Sequence, residues 1–167
     1  MRKKWSLKTL TKEILVASIL LFILTNIFNH IRKPEPPSYT LPQLEIKLLD
    51  GSLYKIEKGK PTILHFWGTW CPTCQLEVGN IAYISQRYEV LTIAVNSGDD
   101  NTLTHYLDKR GITFRVVNDD RGKWAKSFNI KAYPTTLIYD SKGELRFIEV
   151  GYTTTAGLLA RLALIDK

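Results

Sequence analysis

The stretch FWGTWCPTCQLEV, residues 66–78, carries both cysteines of the 167-residue chain, Cys71 and Cys74. It fixes more of the fold than any other segment. TILHFWG, residues 62–68, is apolar and β-rich, and reads as a buried strand. A helix is expected from Pro72 to about residue 87, with Pro72 at its first position, where a missing N–H is no loss. A buried strand running straight into a helix is the repeating unit of an α/β sandwich. The cysteine pair therefore sits at a strand-to-helix turn.

Three kinds of chemistry compete for the pair. A disulfide closing so short a loop restrains the unfolded chain little, which argues against a staple. Structural zinc takes four ligands, and this chain offers two Cys and three His. His30 falls in or beside an apolar N-terminal run and His105 on a predicted surface helix, so no metal site is assigned. Soft Cu(I) needs fewer ligands and stays open as an alternative. Redox exchange fits the position. The free N–H groups and dipole of a helix start stabilise a thiolate at Cys71. Cys74 lies one turn on, within reach for a disulfide. Val78, Ile81, Ala82 and Ser85 come after Cys74 at helical spacing. That places Cys74 on the core stripe and Cys71 at an exposed end: one accessible, activated thiol and one shielded thiol, as an attacking and a resolving cysteine require.

The net charge of +7 is concentrated at the N-terminus. Residues 1–33 hold seven Lys and Arg against one Glu, and the remainder is nearly balanced. A nucleic-acid function for the main domain thus lacks electrostatic support. Residues 1–13 read as a basic cytoplasmic arm and 14–31 as a transmembrane anchor. Positive charge on the N-terminal flank directs the rest of the chain across the membrane. A cleaved signal peptide is the rival, but no small-x-small site stands after the run. Residues 32–42, with Pro34, Pro36, Pro37 and Pro42, read as an extended spacer, and residues 43–167 as the folded domain.

Within that domain a hairpin is expected over 44–56 with its turn at Asp50-Gly51, and a buried strand over 90–95. A helix capped by Asp99 or Asp100 should end at Gly111. A short strand over 113–117 and a brief helix around Trp124 and Phe128 come next. Strands over 135–140 and 144–150 flank a turn at 141–143. A last helix opens at Thr153 or Thr154, with Leu158, Leu159 and Leu162 inward.

FWGTWCPTC resembles the active-site motif of thioredoxin-like proteins, and AYPTTLIYDSKGEL resembles their cis-proline segment. The resemblance covers roughly residues 40–167. It implies an α/β thioredoxin fold, a mixed sheet flanked by helices with an N-terminal β-hairpin extension, preceded by one transmembrane helix. It also implies protein disulfide oxidoreductase activity at Cys71 and Cys74. No cofactor is implied beyond a redox-active disulfide. Pro134 is placed beside that disulfide as a cis residue, preceded by Tyr133. With Trp70, Pro72 and Thr73, these residues would shape the site. The anchor and hairpin resemble the membrane-tethered, extracytoplasmic TlpA and ResA branch. VNSGDD (95–100) and VVND (116–119) are similar to strings of the suppressor-of-copper-sensitivity D proteins, which implies a link to copper tolerance. The expected partners are protein thiol or disulfide substrates and a membrane electron donor or acceptor. The expected location is a bacterial cytoplasmic membrane, single-pass, with the domain in the periplasm. Two residues depart from the family. His65 stands where cytoplasmic thioredoxins carry a buried Asp, which makes it a candidate proton relay. Thr135-Thr136 stands where cytochrome c maturation members carry a Glu, which weighs against that role. Trp67 reads as core, and the Asp99-Asp100 and Asp119-Asp120 pairs as caps and turns.

Overall fold

The computed structural model describes residues 7–165, apart from 37, 44 and 57. The first six residues of the basic arm lie outside the described residues. The chain divides at Arg32 into two compact units. The first contains helix α1, Leu7–Arg32. Its stretch Leu10–Ile27 is long and apolar enough to cross a membrane, and its side chains face outward.

The second unit is built on a five-stranded mixed sheet. Its strands are β3 (Thr62–Trp67), β4 (Glu89–Val95), β5 (Arg115–Asp119), β6 (Thr135–Tyr139) and β7 (Leu145–Val150), in the order β5-β4-β3-β6-β7. β3, β4 and β5 run parallel, while β6 pairs antiparallel with both β3 and β7. A separate antiparallel pair, β1 (Glu45–Lys47) and β2 (Leu53–Lys55), forms the expected hairpin.

Central β3 is buried on both faces, hence its continuous apolar run. Ile63 and Trp67 point to one side. There they meet α2 (Pro72–Ser85), α3 (Asp100–Arg110) and α5 (Thr155–Ile165) through Ile81, Ile84, Leu103, Leu158 and Leu162. Leu64 and Phe66 point to the other side, against Ile46, Ile56 and the short α4 (Lys123–Ser127) with its neighbour Phe128. Asp99 caps α3 by accepting the Thr102 N–H, and Gly111 ends it in the left-handed conformation. Asp119 accepts the Trp124 and Ala125 N–H groups at the start of α4.

Two expectations shift. β5 begins at Arg115 rather than residue 113, because Phe114 enters the core from the preceding loop while Asn118 and Asp119 continue the pairing with Ala94 and Val95. The segment read as a spacer is partly packed: Pro34 and Pro36 are buried, and Leu41 joins the core. The Leu41 N–H donates to the Gly143 carbonyl at the β6–β7 turn, which draws this stretch onto the domain.

Candidate active site

The site lies beyond the carboxyl end of β3. Cys71 is the N-cap of α2, and Pro72 succeeds it where no N–H is needed. The Cys74 N–H donates to Cys71 Sγ at 3.2 Å, so an orphan helix donor points at the first sulfur. The two cysteines are joined as a disulfide, with Cα atoms 5.2 Å apart. Their exposure differs from the expected contrast: Cys71 is 5 % exposed and Cys74 1 %. The asymmetry survives in position, helix cap against helix interior, but not in solvent access. Cys71 is covered because the chain folds back over it: its Sγ lies 3.7 Å from the Tyr133 carbonyl oxygen.

The Tyr133–Pro134 peptide bond is cis, and Pro134 is buried. Trp70 is 53 % exposed and meets the Tyr133 ring edge-on, centroids 5.5 Å apart. Pro72 is exposed and Thr73 half-buried at the same rim. The structure thus brings Trp70, Cys71, Pro72, Thr73, Cys74, Tyr133 and Pro134 together. Trp67 packs in the core against Phe114 and Tyr106.

His65 is buried on the α2-facing side of β3, with Nδ1 sharing a hydrogen bond of 2.9 Å with the Thr136 hydroxyl. It lies in a row across the sheet, between Thr92 and Thr136. Burial pushes its pKa down to about 3, so the imidazole is neutral and a weak base.

Sequence reasoning missed Glu77. It stands three residues after Cys74 on α2 and is 0 % exposed. Its Oε1 accepts the Thr153 N–H at 3.1 Å, while Oε2 is buried without a partner. Burial raises its pKa to about 7, opposed by the Thr153 bond. Cysteine three residues before a glutamate on one helix face was the available signal. Asn80, one turn on, holds the same loop by donating to the Thr153 carbonyl and accepting from the Thr155 hydroxyl. The Gly151 N–H donates to the Pro134 carbonyl, so that loop also touches the cis-proline segment. A groove of about 430 Å³ between Pro42, Trp124 and Phe128 shares no residue with the disulfide.

A disulfide at a strand-to-helix turn, capped by the helix and faced by a cis-proline, defines a thioredoxin-like protein disulfide oxidoreductase. Residues 35–148 match the AhpC/TSA family, and the chain belongs to that family. A thioredoxin-like protein of Haemophilus influenzae is 31 % identical over 160 residues, covering 93 % of this chain and 95 % of that one. The thiol-disulfide oxidoreductase ResA of Geobacillus kaustophilus is 29 % identical over 154 residues, covering 89 % and 88 %. The crystal structure of StoA from Bacillus subtilis superposes with a TM-score of 0.65 at 24 % identity, covering 74 % of this chain and 98 % of that one.

Proposed function

We propose that this chain is a membrane-tethered, extracytoplasmic reductase of protein disulfides, with Cys71 attacking and Cys74 resolving. The observation that carries it is the helix N–H aimed at Cys71 Sγ beside cis-Pro134. In the reduced form that N–H and the helix dipole favour a Cys71 thiolate. The thiolate attacks a substrate sulfur; one substrate thiolate leaves, and a mixed disulfide forms. Cys74 then loses its proton and attacks Cys71 Sγ. The second substrate sulfur departs and takes a proton, and the Cys71–Cys74 disulfide is restored. A membrane dithiol donor resets it.

A buried thiol resists ionising, so Cys74 needs a base. Glu77, with a pKa of about 7 and a free Oε2, fits that task. His65, pushed to about 3, is matched to it poorly. The apolar helix α1 supports tethering, and the basic residues at the N-terminus support an extracytoplasmic domain.

The test is reduction of insulin by dithiothreitol. Catalysed precipitation, lost in Cys71→Ser, supports the reading; no acceleration by the wild type overturns it. A Cu(I)-binding role has two thiolates to draw on, and among the described residues no three His, Cys, Asp or Glu side chains converge. Titration of the reduced protein with Cu(I) tests it. A link to copper tolerance rests on the VNSGDD and VVND strings alone, and those strings also have a structural use beside the disulfide.

A further inference from the structure

We infer that Ser97 is a positioning residue for the disulfide: its buried hydroxyl fixes the Thr69–Trp70 corner that leads into Cys71 and backs the Tyr133 ring beside it. The inference rests on the thiol–disulfide exchange reading and adds to it what controls access to the attacking sulfur.

Three hydrogen bonds hold the corner. The Thr69 N–H donates to Ser97 Oγ at 3.1 Å. The Ser97 hydroxyl donates to the Val95 carbonyl at 3.1 Å, and Trp70 Nε1–H donates to the same carbonyl at 3.0 Å. Two successive residues before Cys71 are therefore tied to the end of β4 through one hydroxyl and one carbonyl. Ser97 is 4 % exposed, where polar groups keep their partners.

The indole is confined on its other sides too. A Cβ on Gly68 would stand 2.6 Å from Trp70 Nε1, so the ring lies on the bare backbone of that glycine. The Tyr133 ring stands edge-on to it, and the Tyr133 carbonyl faces Cys71 Sγ. The contact that covers Cys71 is thus made by Tyr133, and Tyr133 in turn rests against this indole.

The loop that presents Ser97 is itself braced. Asn96 adopts the left-handed conformation, φ 47°, and its N–H donates to the Asp119 carbonyl. Asn118 Nδ2 donates to the Gly98 carbonyl and to Asp100 Oδ1. VNSGDD and VVND thus interlock at the end of the sheet and aim one hydroxyl at the corner.

Ser97→Ala strips the Thr69 N–H of its acceptor and loosens the indole. Small reagents then reach Cys71 more easily. A protein substrate, which needs an ordered rim, is turned over more slowly. A generally weakened fold would also expose Cys71 while lowering turnover, so alkylation of the buried Cys74 in a Cys71→Ser background, which only general opening would raise, must stay unchanged. The test uses the full-length chain in detergent. The pH-independent rate constant for alkylation of the Cys71 thiolate by iodoacetamide is measured beside insulin reduction. In Ser97→Ala the first is expected to rise and the second to fall, each roughly fivefold, about the worth of one hydrogen bond. Ser97→Thr, which keeps the hydroxyl, should restore both. Gly68→Ala, which displaces the indole from the opposite side, should reproduce both changes and serves if Ser97→Ala fails to fold. Both rates unchanged, or both moving the same way, overturns the inference. A wild type inactive on insulin overturns the exchange reading alone, since the alkylation rate and its restoration by threonine still report on Ser97.

Discussion

Glu77 and His65 are buried titratable groups whose effects on stability oppose each other. Glu77 goes from an ordinary value of 4.5 to about 7 on folding, so between these values the native state holds a proton the unfolded chain has lost. Its contribution makes stability fall as pH rises through that window. His65 goes from 6.5 to about 3, so the unfolded chain holds the extra proton and stability rises with pH up to about 6.5. In the overlap, pH 4.5 to 6.5, the two slopes offset. Chemical denaturation across that range should show a shallow dependence in the wild type. It should fall with pH in His65→Leu and rise with pH in Glu77→Gln; equal slopes in all three contradict the assignment. The kinetic prediction concerns the same pair. Glu77→Gln should slow release of the mixed disulfide near neutral pH by about 10²-fold, in the range of general base catalysis. The initial attack by Cys71 should change far less. If stopped-flow shows His65→Leu slowing release with Glu77 intact, and the loss shrinking as pH rises, the imidazole is the base instead.

Helix α2 shows what could be read in advance at the scale of an element. Its start was legible because a proline after a cysteine, at the end of an apolar strand, leaves little choice. Its inner face was only half legible. Ile81 is fully buried as expected, but Val78 and Ala82 are partly exposed, and Glu77 and Ile84 take the inner positions. Spacing identifies a stripe only to within one residue of rotation, and a glutamate is assigned to solvent by default. What draws Glu77 inward is the Thr153 N–H, from a residue 76 positions away. The strands were legible where apolar runs mark buried sheet; β5 was displaced because its polar end, Asn118-Asp119, is recruited by pairing with β4. The covered state of Cys71 was not legible, since it depends on Tyr133, 62 positions away, meeting it across the fold. Ile81 joins α2 to the core beneath the disulfide. Ile81→Ala should cost about 2–5 kcal/mol in denaturant unfolding. A cost below about 1 kcal/mol would mean that α2 is not anchored there.

For the whole molecule, the proposed tethering predicts one orientation, with the basic N-terminus inside. A reporter active only outside the cytoplasm, fused after Lys167, should be active; activity of a cytoplasm-only reporter there would reverse the topology. The domain keeps both cysteines nearly closed to solvent. The proposed exchange with partners is expected to pass the rim of Trp70 and Tyr133 and to start at Cys71. The most direct test is trapping in cells that express the full-length chain. Cys74→Ser leaves nothing to resolve the mixed disulfide and should accumulate covalent complexes that dithiothreitol releases, whereas Cys71→Ser should accumulate almost none. Equal trapping by the two variants, or complexes formed only through Cys74, would contradict the assignment of Cys71 as the attacking thiol.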